Sequence, residues 1–156
     1  MRYNLMEIER LKTISYILNS ENKNETFEII RTISNEDELF VLLDNYNWDN
    51  GFEVPTEILS NPHCTLSTAL LAFYRADGYR YLSEGDSIIL NRLTKDWEIF
   101  LKSVLRRILN KEFQIGNITF NPELTKIQKF KLKKLNPALD PVLIDGVQGK
   151  DLNIIL

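Results

Sequence analysis

Apolar residues recur three and four positions apart through most of this 156-residue chain, in stretches broken by short polar runs. That spacing gathers them on one side of a helix with 3.6 residues per turn, so the chain is constrained toward packed amphipathic helices. The clearest stretch is residues 4–19, where Leu5, Ile8, Leu11, Ile14, Ile17 and Leu18 share a face. The polar run Asn19-Ser20-Glu21-Asn22-Lys23-Asn24 ends it. A second helix is expected over about residues 25–32, with Phe27, Ile30 and Ile33 inward. Ser34 or Asn35 can cap a third, since each has an acid three positions on, Asp37 or Glu38. Leu39, Leu42, Leu43 and Tyr46 form its stripe.

Asn50-Gly51 marks a tight turn, and Pro55 suits the first turn of a short helix over residues 55–60. Asn61-Pro62-His63-Cys64 breaks that helix. Thr65 or Ser67 can cap the next, with Leu66, Ala69, Leu70 and Phe73 at helical spacing. Asp77-Gly78 should stop it, with the glycine in the left-handed position. Residues 86–110 read as helix again, with the long stripe Ile89, Leu93, Trp97, Phe100, Leu101, Val104, Leu105 and Ile108. A small hairpin is expected near residues 112–120, turning at Gly116-Asn117. Pro122 should open a helix over about residues 122–135. The tail, residues 151–156, alternates weakly and reads either as a short strand or as a docked segment. The expected fold is mainly α: one irregular helical domain, residues 1–156, of six or seven helices with a small β-hairpin.

With six glycines and five prolines, composition favours long regular elements over loops. A chain of this length buries enough surface to need no disulfide or metal staple. Cys64 is its single cysteine, which fits a reducing compartment and a cytoplasmic location. Met1 to Glu7 becomes charged before any apolar run develops, so no signal peptide is expected. No membrane partner is expected either, because no stretch approaches the roughly 20 apolar residues needed to span a bilayer. Charge is uneven. Residues 1–100 hold 9 Lys+Arg against 17 Asp+Glu, a net −8, and residues 101–156 hold 10 against 5, a net +5. Such a two-signed molecule can steer a charged partner to one face.

The ordered string Tyr46-Asn47-Trp48-Asp49-Asn50-Gly51-Phe52-Glu53-Val54-Pro55, then Asn61-Pro62-His63-Cys64, Thr68-Ala69-Leu70, Phe73 and Asp77-Gly78-Tyr79 resembles a bacterial domain-of-unknown-function family. The resemblance covers about residues 36–82. Asn50 stands where that family's pattern has an Asp. Such proteins are similar in size and setting to small cytosolic immunity proteins encoded beside polymorphic or contact-dependent toxins. The family itself implies no named activity, and the similarity to immunity proteins implies a protein partner.

Several groups invite chemistry and have a plainer reading beside it. Asp49, Glu53 and Asp77 could serve as an acid–base pair or hold a magnesium ion. Alternatively Asp49 bonds its own turn, and Asp77 caps a helix or pairs with Arg75 or Arg80. His63 and Cys64 are adjacent, so their side chains diverge and make an awkward dyad, and two ligands fall short of the four of a structural zinc site. Trp48 and Phe52 bracket the Asn-Gly turn as interface anchors or as plugs tying the loop to the core. Tyr74, Tyr79 and Tyr81 alternate with Arg75 and Arg80, a pattern suited to a macromolecular surface, with Tyr74 off the apolar stripe and so exposed. Lys126, Lys129, Lys131, Lys133 and Lys134 share a helix with Leu124, Ile127, Phe130 and Leu135. Such a helix suits nucleic acid or an anionic membrane, or its apolar residues face the core and its lysines snorkel. The pI near 5.3 argues against a dedicated nucleic-acid binder.

No phosphate-cradling glycine motif, HExxH, CxxC pair or GxSxG occurs. The expectation is therefore a protein-binding module rather than an enzyme, with no cofactor or metal. Its partner would be a cognate toxin domain such as a basic nuclease, met by Asp49, Glu53, Tyr74, Arg75, Asp77, Tyr79 and Arg80. The alternatives are a small metal- or carboxylate-dependent enzyme centred on Asp49, Glu53, His63 and Asp77, and a regulatory helical interaction domain.

Overall fold

The computed structural model describes residues 7–85 and 95–156. Among them lie nine α-helices: α1 (Ile8–Asn19), α2 (Lys23–Thr32), α3 (Glu36–Asp44), α4 (Glu53–Ser60), α5 (Leu66–Arg75), α6 (Gly78–Glu84), α7 (Lys95–Leu109), α8 (Lys126–Leu135) and α9 (Val142–Asp145). A 3-10 turn, Trp48–Asn50, precedes α4. The two helices beyond the expected six or seven are α6 and the one-turn α9. Residues 4–6 of the first expected helix, and 86–94 of the long one with Ile89 and Leu93, lie outside the described residues.

Helix α3 is the hub. Asn35 caps it, its Oδ1 accepting from the N–H groups of Asp37 (2.8 Å) and Glu38 (3.4 Å). Every residue from Asp37 to Leu43 is buried, so the helix is enclosed by its neighbours α1, α4 and α5 and shows no single apolar stripe. Helix α5 is its partner, buried from Ser67 to Phe73 and packed on α3, α4, α6 and α7. Its small residues Ser67, Thr68, Ala69 and Ala72 let those helices approach closely. Trp97 of α7 donates its Nε1–H to the carbonyl of Ala76 at 2.8 Å, which closes the open end of α5.

Asp77 takes the left-handed conformation (φ 69°), and Gly78 instead starts α6. The glycine is needed for proximity: a Cβ on Gly78 would lie 2.4 Å from the Phe73 ring and 2.6 Å from its carbonyl. The expected hairpin does not form, and no sheet occurs among the described residues. Gly116 does turn with positive φ, but the segment pairs elsewhere. The N–H of Leu66 donates to Gln114 O (2.7 Å), and that of Asn117 to Glu36 Oε1 (3.0 Å). Phe120 exchanges two backbone bonds with Val147, at 3.0 and 2.9 Å. Residues 114–120 are thus bound between the start of α5 and the C-terminal segment.

Helix α8 begins four residues later than expected. Glu123 has φ 56°, which no right-handed helix can include. The start is instead set by a capping box between Thr125 and Gln128. Of its apolar residues only Leu132 is buried; Ile127, Phe130 and Leu135 are exposed rather than facing the core. The tail docks. Leu152 and Ile154 are buried against the body without strand pairing.

Candidate functional site

The loop from Tyr46 to Glu53 crosses the surface between the end of α3 and the start of α4. Asn47 Oδ1 accepts from the Asp49 N–H at 3.0 Å and opens the 3-10 turn. Gly51, at φ 96°, lets the chain reverse, and the Tyr46 hydroxyl donates to its carbonyl at 2.7 Å. Burial, with a smaller contribution from the Glu53 charge, pushes the Tyr46 phenol up to about 12, so it stays a donor at neutral pH. Trp48 meets Tyr46, Phe52 and Phe100 edge to face, with centroids 5.6, 6.2 and 5.8 Å away. Phe52 and Phe100 stack at 5.0 Å. Aromatic pairs at these distances favour such arrangements, so the four rings fix the loop to α7. Trp48 is therefore a half-buried plug rather than a free anchor.

A surface cleft lies on each side of this loop, and Glu53 borders both. The first, of about 370 Å³, lies toward α1 and α2 and is lined by Ile17, Leu18, Glu21, Tyr46 and Asn50 among others. The second, of about 590 Å³, lies toward α2 and α7; Phe27, Phe52, Ile99 and Phe100 line it, with Glu57 and Asp96 as further carboxylates. Glu53 pairs with Lys23 at 2.8 Å and Glu57 with Arg31 at 2.7 Å. Glu53 remains largely solvated despite its pair. Asp49 and Asp96 are exposed nearby. The loop face thus joins apolar walls to solvated carboxylates, which suits a cationic partner with apolar side chains.

The structure separates the remaining candidates from this face. Tyr74 is not exposed. Its hydroxyl donates to the Leu143 carbonyl, its ring stacks on Phe120 at 6.0 Å, and burial raises its pKa. Arg75 is held by Asp44, with a 2.5 Å ion pair and a 3.1 Å bond to its carbonyl. Both line a third cleft, of about 510 Å³, between α5 and the tail, with Glu123 and Asp151 also on its wall. Arg80 pairs with Glu84 at 3.3 Å. Asp77 is exposed and makes no side-chain cap, and the ion pairs of Arg75 and Arg80 go to Asp44 and Glu84 instead. Tyr79 is half-buried on α6.

His63 is exposed and its neighbour Cys64 is buried, with burial pushing the thiol up to about 12. A thiol so protonated is a poor nucleophile. Among the described residues, no three His, Cys, Asp or Glu side chains gather closely enough to hold a metal ion, so Asp49, Glu53, His63 and Asp77 do not converge. Phe27, expected to face inward, is half-buried on the cleft wall, and Glu57, Asp96 and Ile99 were not singled out by the sequence. Ile99 carried a signal: it is an apolar residue off the Trp97–Ile108 stripe, and it is indeed exposed.

A family model described as a domain of unknown function (DUF4274) matches residues 34–109. The matched span runs from the cap of α3 to the end of α7 and contains residues 36–82, which carry the resemblance described above. It includes the loop and most of the second cleft, while α1 and α2 supply the remaining walls. No curated protein and no solved structure matches the chain.

Proposed function

We propose that this chain is a protein-binding module of the bacterial cytoplasm, an immunity protein that neutralises a cognate toxin by binding it. The observation that supports this reading is the aromatic loop between two clefts that share Glu53, with Asp49, Glu57 and Asp96 around it. A basic toxin such as a nuclease exposes cationic groups around its substrate groove. An acidic rim raises the association rate with such a surface, and apolar contacts inside the clefts then set the lifetime of the complex.

The test is a binding titration against the product of the neighbouring gene. A complex should form whose association rate falls as salt rises. Glu53→Lys combined with Asp96→Lys should slow association at least tenfold while leaving the fold intact. Absence of any complex, or a complex indifferent to these two reversals, would refute the proposal.

A further inference from the structure

Helix α8 turns its charge and its exposed apolar side chains to the same side. Leu132 is its inward residue, 2% exposed, and the helix packs on α6. Ile127 and Phe130, one turn apart, are 80% and 68% exposed and point away from Leu132. Lys126, Lys131, Lys133 and Lys134 are exposed around them, and no acidic residue occurs between Lys126 and Leu135. Leaving an isoleucine and a phenylalanine in water forgoes the burial free energy that drives folding. Here both are framed by cations that a partner of opposite charge would neutralise.

We propose that this face of α8 is a peripheral docking surface for an anionic lipid bilayer. The basic residues on the helix are all lysines. Lysine acts as a mobile point charge suited to a diffuse layer of headgroups, whereas planar, bidentate phosphate recognition favours arginine. Projecting apolar side chains suit the same partner. They enter the acyl boundary while the lysine stems snorkel to the headgroups. None of the clefts described above is lined by α8. The capping box fixes the helix in advance, so binding needs no folding step. The acidic first hundred residues do not oppose contact where they lie beyond about 8–10 Å of the bilayer, the screening length in physiological salt. The expectation of no membrane partner rested on spanning length, and no helix among the described residues is long and apolar enough to cross a bilayer. Peripheral contact needs no such helix.

The experiment is co-sedimentation of the full chain with vesicles of phosphatidylcholine alone and of phosphatidylcholine with phosphatidylglycerol in equal parts. The chain should pellet with the anionic vesicles and not with the neutral ones. Lys126→Gln with Lys134→Gln should lower the partition coefficient about fivefold for each lysine removed. Ile127→Ser with Phe130→Ser should lower it about tenfold or more. All four residues are exposed, so the unfolding midpoints should stay unchanged. Failure to pellet with anionic vesicles at low salt would overturn the proposal. So would anionic binding that survives the Ile127→Ser/Phe130→Ser change, since the face would then read charge alone.

Discussion

Asn45, at the end of the buried helix α3, holds Ile154 of the C-terminal tail by its backbone carbonyl at 2.8 Å. The same side chain accepts from the Leu156 N–H at 2.9 Å, so one amide holds the backbone on both sides of Ile155 and sets which tail side chain turns inward. Ile154 is buried and Ile155 is exposed. Ile154→Ala should therefore lower the unfolding free energy by about 2–4 kcal/mol. Ile155→Ala should change it by less than about 0.5 kcal/mol. Urea denaturation of both variants checks the contrast. Equal effects would mean that the tail is not docked in this register.

Asn61 performs a similar task for α2. Its Nδ2 donates to the carbonyls of Ile30 (2.9 Å) and Ile33 (2.8 Å), and its Oδ1 accepts from the His63 N–H (2.8 Å). The residue is buried, so water does not readily replace it. Asn61→Ala should cost about 2–3 kcal/mol by leaving these groups unpaired. Asn61→Asp should cost more, because a carboxylate would face two carbonyls. Thermal unfolding ranks the three proteins.

These two asparagines show where the sequence was legible and where it was not. Asn35 was readable as a cap because its partners follow it within three residues. Asn45 and Asn61 bond across more than a hundred and about thirty positions, respectively, and no local pattern announces such partners. Residues 113–120 misled for the same reason: Gly116-Asn117 carries hairpin chemistry, yet the bonds go to Glu36, Leu66 and the 147–150 segment. Helix α3 was found from its stripe, but enclosure on all sides depends on three other helices. In the candidate site, Asp49 and Glu53 were legible from their turn. Glu57, Asp96 and Ile99 come to the same face only through the packing of α2, α4 and α7. On α8 the sequence grouped Leu124, Ile127, Phe130 and Leu135, yet Leu124 precedes the helix and the inward residue is Leu132, because spacing cannot say which side of a helix finds a core.

Cys64 links burial to pH. An unfolded thiol titrates near about 8.5, and burial holds the folded one up to about 12. Between those values the unfolded chain has lost this proton and the folded chain keeps it. Stability therefore falls with rising pH, by up to about 1.4 kcal/mol per unit from this group. Its contribution is unaffected below about pH 8. Tyr46 and Tyr74, both raised by burial, act in the same direction at higher pH. Cys64→Ala should flatten the alkaline loss, as followed by urea midpoints from pH 8 to 11. Native Cys64 should also react with a thiol reagent at pH 8 only as fast as the chain opens, and prompt labelling would contradict its burial.

Trp48 separates loop anchoring from partner contact. Its Nε1–H is buried and finds no acceptor among the described residues, a loss of about 1–3 kcal/mol relative to a hydrated donor. Its ring nevertheless packs edge to face against Tyr46, Phe52 and Phe100. Trp48→Phe removes the unpaired donor and some packing together. The two effects oppose, so stability should change by less than about 1 kcal/mol. Trp48→Ala keeps neither the packing nor the loop position and should cost about 3 kcal/mol. If the loop face binds the partner, Trp48→Phe should bind as the parent does, because the clefts beside it keep their shape. Phe52→Ala removes a wall of the second cleft and should weaken binding by tenfold or more, the scale of an interface anchor. Denaturation and binding titrations on the same three variants distinguish the roles: a Phe52→Ala protein that folds and binds normally would move the contact surface away from this loop.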